Sequence, residues 1–187
     1  MKKEKVQERI VRVASDLFYR QGFNSTGINQ IIAEADIAIG SLYNHFSSKN
    51  DLLQAYLINE ELAWFKGFEE HSAKISDPRE KLLSLIDYRK KLQKTSKFAG
   101  CHFIKITSEL GDSNLPVSDF VKHHKTKQKE LIRSLVDEYA ESKKDIDPNC
   151  VTENIFLLIE GAVVTSTIHK STDSFDQIKK MIEALLS

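Results

Sequence analysis

Apolar residues recur at helical spacing through most of the chain. In the first segment they fall mainly three or four residues apart, at Val6, Ile10, Val13, Ala14, Leu17 and Phe18. This spacing places them on one face of an α-helix, with Arg9, Arg12 and Asp16 off that face. No segment shows a convincing strand pattern, internal repeat or low-complexity tract, so the pattern predicts an all-α fold.

Capping residues mark the boundaries of the predicted helices. Asp77 and Asp147 each stand before a proline, the usual order of N-cap and first helical residue. Ser48 and Asp51 have capping-box spacing, and we expect Gly22 to end the first helix in a left-handed conformation. Together these features predict nine helices, at residues 2–21, 28–35, 38–46, 48–74, 78–96, 101–111, 116–143, 149–169 and 174–186.

Two short helices stand out between the longer ones, at residues 28–35 and 38–46. They are joined at Asp36, which can tolerate the left-handed conformation usually given to glycine. Helices this short are unstable alone, so we expect them to pack on helices 2–21 and 48–74. This is a helix-turn-helix arrangement, whose second helix is free to enter a DNA major groove.

The same region carries an extended motif. It runs through Leu17-Phe18, Gly22-Phe23, Thr26-Gly27-Ile28, Ile31, Ala35-Asp36-Ile37-Ala38, Gly40-Ser41-Leu42-Tyr43-Asn44-His45-Phe46, Ser48, Lys49 and Leu52. It resembles the N-terminal motif of the TetR family of bacterial transcriptional regulators. Asp36 replaces the usual turn glycine, and Ala38 replaces the usual serine before the second helix. Losing a serine N-cap costs about 1 kcal/mol, so we expect these departures to tune function rather than abolish it.

The resemblance implies a DNA-binding face on the helix-turn-helix. We expect Tyr43, His45 and Lys49 to contact phosphate or bases, with Thr26 and Asn29 acting similarly at the preceding helix. Ile39, Gly40, Ser41 and Asn44 are the predicted base-facing set, where Ile39 suits a thymine methyl group and Asn44 suits adenine. Ile28 completes the candidate set. Tyr43 and Phe46 could instead be core aromatics, and we favour that interpretation for Phe46.

The resemblance divides the chain into a DNA-binding domain at residues 1–50 and a regulatory, dimerisation domain at residues 51–187. In this family the last two helices form a homodimer. The predicted interface residues are Val151, Ile155, Leu158, Ile159, Ala162, Val163, Ser166, Ile178, Met181, Ile182 and Leu185. Periodicity alone leaves open the alternative that this stripe is intramolecular core.

The regulatory domain is expected to enclose a cavity for a small-molecule inducer. Candidate lining residues are Trp64, Phe65, Phe68, Tyr88, Phe98, His102, Phe103, Phe120, His124, Phe156 and Glu160. Each aromatic residue could equally be ordinary core. Gly100-Cys101 followed by Glu109 resembles a motif of one TetR subgroup. Cys101 could sense oxidants or electrophiles, or it could be a small packing residue.

Composition limits the other classes of function. Lys and Arg number 27, as do Asp and Glu, and the excess of two positive charges in residues 1–50 is too small to indicate DNA binding by itself. His102, His123, His124 and His169 lack metal-ligand spacing, and no catalytic motif occurs, so we expect no metal, no cofactor and no enzyme. The run Lys122–Lys129 is expected to be a solvated helix face or a contact for an anion.

The expected location is cytoplasmic. The chain has two cysteines, which favours a reducing compartment over a disulfide framework. The basic N-terminus lacks the apolar stretch of a secretory signal, and Ile155–Ile159 is the longest uninterrupted apolar run, so we expect no membrane span. The expected partners are an operator in double-stranded DNA, an inducer and a second copy of the chain. The leading hypothesis is a repressor, with an activator or a protein-binding module as alternatives.

Overall fold

A computed structural model of the chain describes residues 4–110, 115–141, 143 and 146–187. Regular structure within these residues is entirely α-helical, which confirms the predicted fold class. The helices are α1 (Val6–Gln21), α2 (Ile28–Glu34), α3 (Ile39–His45), α4 (Lys49–Ser72), α5 (Pro78–Thr95), α6 (His102–Leu110), α7 (Leu115–Ala140), α8 (Pro148–His169) and α9 (Asp173–Leu185). The predicted ends at residues 2 and 111 lie outside the described residues.

The helices form two compact units. The first unit comprises Met1–Ala63 and His102–Val121, and the second comprises Trp64–Cys101 and Lys122–Ser187. In the first unit, α1, α2 and α3 pack against one another. In the second, α5, α8 and α9 do so. The functional division after residue 50 stays a prediction.

The expected caps are present. The Asp77 carboxylate accepts a hydrogen bond from the Glu80 N–H at 2.9 Å, and the Asp147 carboxylate accepts one from the Asn149 N–H at 2.9 Å. The Ser48 hydroxyl accepts from the Asp51 N–H at 3.1 Å, as the capping box requires. Each bond satisfies an N–H group that the helix itself cannot pair.

Gly22 differs from the expected helix terminator. Its φ of 95° is positive, which favours glycine, but its ψ of 153° is outside the left-handed helical region. The chain is therefore extended as it leaves α1. A Cβ atom at this position would meet the Glu109 carboxylate at 2.9 Å, so a side chain there would displace the end of the Glu109 side chain.

Each unit has its own core. In the first unit, Phe18 is 1% exposed, and its ring centroid lies 5.2 Å from that of Phe23 and 5.9 Å from that of Tyr56. In the second unit, the fully buried residues include Leu82, Ile155, Phe175 and Ile182. Burying an aliphatic or aromatic side chain contributes about 1.5–3 kcal/mol, so these cores hold the short helices in place.

Helix α8 is the most apolar described helix. By length and composition it is long and apolar enough to cross a membrane, with a mean hydropathy of 1.4, although the core helix of a soluble protein passes the same test. Two of its acidic residues form ion pairs with α7 inside the second unit, Glu160 with Lys125 at 2.7 Å and Glu153 with Lys129.

Candidate nucleic-acid interface and ligand cavity

The turn between α2 and α3 has the backbone geometry expected at Asp36. Its φ is 49°, a left-handed value that a side chain other than glycine adopts at some cost. The Arg9 guanidinium donates to the Asp36 carbonyl oxygen at 3.3 Å and so ties the turn to α1. At the start of α3, Ala38 is the N-cap and makes no side-chain capping bond. Packing, rather than capping, therefore stabilises α3.

One face of helix α3 is exposed to solvent and carries both polar and apolar side chains. Ile39 is 58% exposed and Tyr43 is 51% exposed, so Tyr43 is not a core aromatic. Gly40, Asn44 and His45 are also exposed, and Ser41 is half-buried. Leu42 and Phe46 are buried, as expected for Phe46. The exposed hydroxyl, amide and imidazole groups are hydrogen-bonding groups suited to phosphate oxygens and base edges.

The residues at the start of α2 do not all share this exposure. Asn29 is exposed and Ile28 is half-buried. Thr26, by contrast, is 1% exposed, and its hydroxyl donates to the Gly22 carbonyl oxygen at 2.7 Å. The hydroxyl also accepts from the Gln21 side chain at 3.2 Å. The Thr26 side chain is therefore not available to contact phosphate as predicted, because it is buried and hydrogen-bonded within the protein.

Lys49 occupies the first position of α4 and packs on an aromatic ring. Its ammonium nitrogen lies 4.1 Å from the centroid of the Phe23 ring. Burial lowers the pKa of Lys49, and the negative charge of Glu109 acts in the opposite direction. The side chain is half-buried, so a cation is held beside the N-terminal turn of α4, where unpaired N–H groups also favour an anion.

Helix α6 belongs to the first unit and contacts the segment that leads into α2. The Glu109 carboxylate accepts from the Asn24 N–H at 3.0 Å, and the Asn24 side-chain amide donates to the Glu109 carbonyl oxygen at 3.1 Å. Sequence reasoning missed this link because the two residues are 85 positions apart. His102, predicted to line the cavity, is also in the first unit and stacks on Tyr19.

The second unit contains a small cavity whose free space, about 10 Å³, holds about one water molecule. It is lined by Trp64, Leu85, Arg89, Gln128, Ile132, Phe156, Ile159 and Glu160. Trp64, Phe156 and Glu160 were predicted from the sequence, whereas Arg89 and Gln128 were not. The missed residues are polar, and only the fold shows that they are buried, at 6% and 4% exposure.

The other predicted lining residues lie elsewhere. Phe103 and Phe120 are in the first unit and stack on each other, with centroids 6.5 Å apart. Phe65, Phe68, Tyr88 and His124 form an aromatic cluster around Trp64 behind the cavity wall. Phe98 has a left-handed φ of 59°, and its carbonyl oxygen accepts from Lys170. These residues are packing residues in this structure, which was the alternative left open for each aromatic.

Cys101 immediately precedes α6 and is a free thiol that is 9% exposed. Burial of a thiol in protein slows its reaction with oxidants and electrophiles. The other cysteine, Cys150, is exposed. The burial of Cys101 favours the packing interpretation, and its reactivity stays a prediction. No group of three or more potential metal ligands occurs among the described residues.

The predicted dimer stripe stays a prediction, and its residues differ in burial. Most of it is buried inside the second unit and forms core with α5: Val151, Ile155, Ile159, Ala162, Val163, Ser166, Ile178 and Ile182. Leu158 and Leu185 are half-buried, and Met181 is 56% exposed. The exposed apolar stripe of α8 lies beside the predicted one, at Leu157, Gly161, Val164 and Ile168.

Two family models match the chain. The model described as bacterial regulatory proteins, tetR family, matches residues 10–56, and that described as tetracyclin repressor-like, C-terminal domain, matches residues 78–182. The chain belongs to the TetR family. It is a helix-turn-helix, DNA-binding transcriptional regulator and not an enzyme. The subgroup suggested by Gly100, Cys101 and Glu109 stays a prediction.

Named TetR-family relatives match over different lengths. The repressor DhaR of Mycobacterium sp. is 24% identical over 100% of this chain and 95% of its own length. QacR of Staphylococcus aureus is 32% identical, but the match spans 41% of this chain and 40% of QacR. The structure of a TetR-family regulator from Streptomyces coelicolor has a TM-score of 0.88 at 23% identity, covering 97% of this chain and 94% of that one. At this identity the likeness shows the fold.

Proposed function

We propose that the protein is a homodimeric repressor that binds a pseudo-palindromic operator and is released by a small-molecule inducer. The exposed face of α3 is the observation that carries the proposal. Ile39 and Tyr43 are more than half exposed and lie one helical turn apart, beside the exposed Gly40 and Asn44, so one face of α3 offers both apolar and hydrogen-bonding groups to base edges. The relative DhaR is named a repressor, which supports the direction of regulation.

In this proposal, α3 enters the major groove with Ile39, Gly40, Ser41 and Asn44 toward the bases. Tyr43, His45 and Lys49, with Asn29 and the backbone N–H of Ile28 at the start of α2, contact the phosphate backbone and fix the orientation of α3. Two copies of α3 in a dimer would read half-sites about one helical turn apart, roughly 34–36 Å, or somewhat more. The site of action is the cytoplasm, where bacterial DNA is found.

The cavity in the second unit is the proposed inducer site. Its free space of about 10 Å³ is far below the roughly 300–1,000 Å³ of most ligand pockets, so the cavity must open when the inducer binds. An inducer acts by binding better to a dimer geometry that no longer fits the operator.

The experiment that tests the proposal is selection of bound DNA from a random duplex pool at about 150 mM salt, where nonspecific binding is weak. Enrichment of an inverted repeat is expected from a sequence-specific dimer. Enrichment of a single half-site would contradict the dimer, and no enrichment with ligand-free protein would contradict sequence-specific binding. Deleting the gene should raise expression from promoters that carry the repeat, whereas a fall would identify an activator.

A further inference from the structure

Arg89 is a buried cation in the wall of the cavity. It lies on α5 and is 6% exposed, and its Nε and Nη2 groups have no hydrogen-bond partner in the part of the chain that the structure describes. No ion pair of Arg89 occurs among the described residues. A buried charge without a partner is costly, because the protein interior replaces little of its hydration. Buried guanidinium groups are therefore normally paired, and Arg89 is an exception that calls for a ligand.

Neighbouring side chains do not neutralise Arg89. Glu160 lines the same cavity, but its carboxylate lies 2.7 Å from the Lys125 ammonium, which balances its charge. The Trp64 ring lies 5.8 Å from the Arg89 guanidinium carbon, a distance that gives a weak cation–π attraction. With Lys125 and Glu160 balanced, the cavity keeps one positive charge.

A second unpaired donor faces the same region. Trp64 is 8% exposed, and its indole N–H has no hydrogen-bond partner within residues 4–110, 115–141, 143 and 146–187. Arg89 and Trp64, which both line the cavity, together have three buried donor nitrogen atoms, with four N–H groups between them. The remaining wall is largely apolar, formed by Leu85, Ile132, Phe156 and Ile159. An occupant larger than a water molecule must displace part of this wall, because the free space is about 10 Å³. The occupant that matches the wall has an acceptor group at one end and an apolar body.

We propose that the cavity binds a small monocarboxylic acid with an apolar body, and that Arg89 holds its carboxylate. A carboxylate matches the planar guanidinium with two parallel hydrogen bonds, and the Trp64 N–H supplies a third. A phosphate dianion is a poorer fit, because its charge exceeds the single positive charge of the cavity. The acid would be the inducer, a role that rests on the proposed function, whereas binding at Arg89 does not.

The test uses Trp64 itself as the reporter, since it is the single tryptophan of the chain. Full-length protein is titrated with cyclohexanecarboxylate and, separately, with cyclohexanecarboxamide, which has nearly the same shape without the charge. Neither compound absorbs at the excitation wavelength of tryptophan. The expected result is a saturable fluorescence change with the acid at a concentration at least ten-fold lower than with the amide. Equal responses to both would overturn the proposal, as would no response to either.

Two variants test whether the carboxylate of the bound acid contacts Arg89. Arg89→Met keeps the length of the side chain and should weaken acid binding at least ten-fold while leaving amide binding unchanged. Arg79→Met, on the same helix but ion-paired with Glu80 at the surface, should change neither. Unchanged acid affinity in Arg89→Met would overturn the assignment. If Arg89→Met does not fold, the comparison of acid and amide on the unmodified protein still tests whether the cavity prefers a carboxylate.

Operator binding is measured separately. Release of the selected operator by cyclohexanecarboxylate at its binding concentration supports both the site and the inducer role. Saturable binding through Arg89 without operator release supports the acid site and contradicts the inducer role. Inorganic phosphate at equal ionic strength serves as the competitor, and displacement of the acid by phosphate at a similar concentration would overturn the requirement for an apolar body.

Discussion

The imidazole ring of His102 lies parallel to the phenol ring of Tyr19, with 3.7 Å between the ring centroids. His102 Nδ1 shares a hydrogen bond with the Tyr56 hydroxyl at 2.6 Å and lies 3.4 Å from the Glu60 carboxylate. The Lys105 ammonium donates to the Tyr19 carbonyl oxygen. The first turn of α6 is therefore attached to α1 through Tyr19 and to α4 through Tyr56 and Glu60, all within the first unit.

This attachment predicts a pH-dependent stability. Burial raises the pKa of the Glu60 carboxyl to about 7, so the folded protein holds this proton where the unfolded chain, with a pKa near 4.5, has released it. The contribution of Glu60 to stability is therefore present at low pH and is lost as pH rises from about 4.5 to 7. The shift corresponds to about 1–3 kcal/mol once solvent access is considered.

The Glu60→Gln variant keeps a neutral group at all pH values. We expect its melting temperature to exceed that of the unmodified protein at pH 8 and to approach it at pH 5. Glu69→Gln, at an exposed position of α4, is the matched control, and its melting temperature should equal that of the unmodified protein at pH 5 and at pH 8. A constant difference between Glu60→Gln and the unmodified protein across this range would contradict the raised pKa.

Glu109 is expected to hold the chain segment between α1 and α2. Glu109→Ala removes the acceptor of the Asn24 N–H and should cost about 1–2 kcal/mol, while Glu109→Gln keeps an acceptor and should cost less. Hydrogen exchange of the Asn24 amide measures the effect directly. Faster exchange is expected in Glu109→Ala, and unchanged exchange would show that this bond is not formed in solution.

Asp36 is expected to carry a small conformational cost. A residue with φ of 49° is strained unless it is glycine, so Asp36→Gly should stabilise the protein by about 0.5–1 kcal/mol after the added entropy of the unfolded chain is considered. Asp36→Ala keeps the left-handed backbone but removes the carboxylate, which can form local hydrogen bonds. This variant should be less stable than the unmodified protein. Urea denaturation measures both, and a loss of stability in Asp36→Gly would indicate a role for the carboxylate.

Features fixed by local interactions could be predicted from the sequence. Asp77, Asp147 and Ser48 cap their helices as expected, because a cap depends on residues within one helical turn. The resemblance to the TetR motif implied an exposed face on α3, and Ile39, Tyr43 and Asn44 are exposed there. The burial of Arg89 and the pairing of Glu109 with Asn24 could not be predicted, because both depend on which distant helices meet.

The side of α8 that stays open could not be predicted from the sequence for a related reason. Helix α8 has apolar residues on more than one side, so periodicity could not distinguish the side that packs on α5 and α9 from the side that remains open. Ile155 and Ile159 occupy the packed side, and Leu157 and Ile168 the open one. Thr26 illustrates the same difficulty on a smaller scale, since its hydroxyl is used by the Gly22 carbonyl oxygen.

Lys49 and Asn44 are expected to affect DNA binding differently. Lys49→Met keeps the apolar contact with Phe23 but removes one phosphate-binding charge, so binding should weaken on operator and random DNA alike, with a salt slope lower by about 1. Asn44→Ala should cost about 1–3 kcal/mol at particular base pairs only. Lys66→Met, an exposed position on α4, is the control. Equal effects of Lys49→Met and Asn44→Ala on both DNAs would contradict these roles.

The open side of α8 carries large exposed apolar residues. Leu157 is 63% exposed and Ile168 is 69% exposed, and Met181 of α9 is 56% exposed beside them in a groove that also contains Gly161. A Cβ atom at Gly161 would meet nothing within 4 Å, so a helix of a second copy can approach closely there. Exposed apolar groups that form a continuous patch are typical of protein interfaces.

We therefore expect Leu157→Asp and Ile168→Asp to convert the dimer to a monomer, because each places a charge in an interface that must be desolvated. Leu62→Asp is the matched control, since Leu62 is also 63% exposed but lies on α4. Sedimentation velocity should give twice the 21.4 kDa chain mass for the unmodified protein and for Leu62→Asp, and the single mass for the two α8 variants. One copy of α3 reads only one half-site, so the monomeric variants should also lose operator binding. Their helix-turn-helix should remain folded, because neither substitution lies in it. Dimers formed equally by all four proteins would place the interface elsewhere.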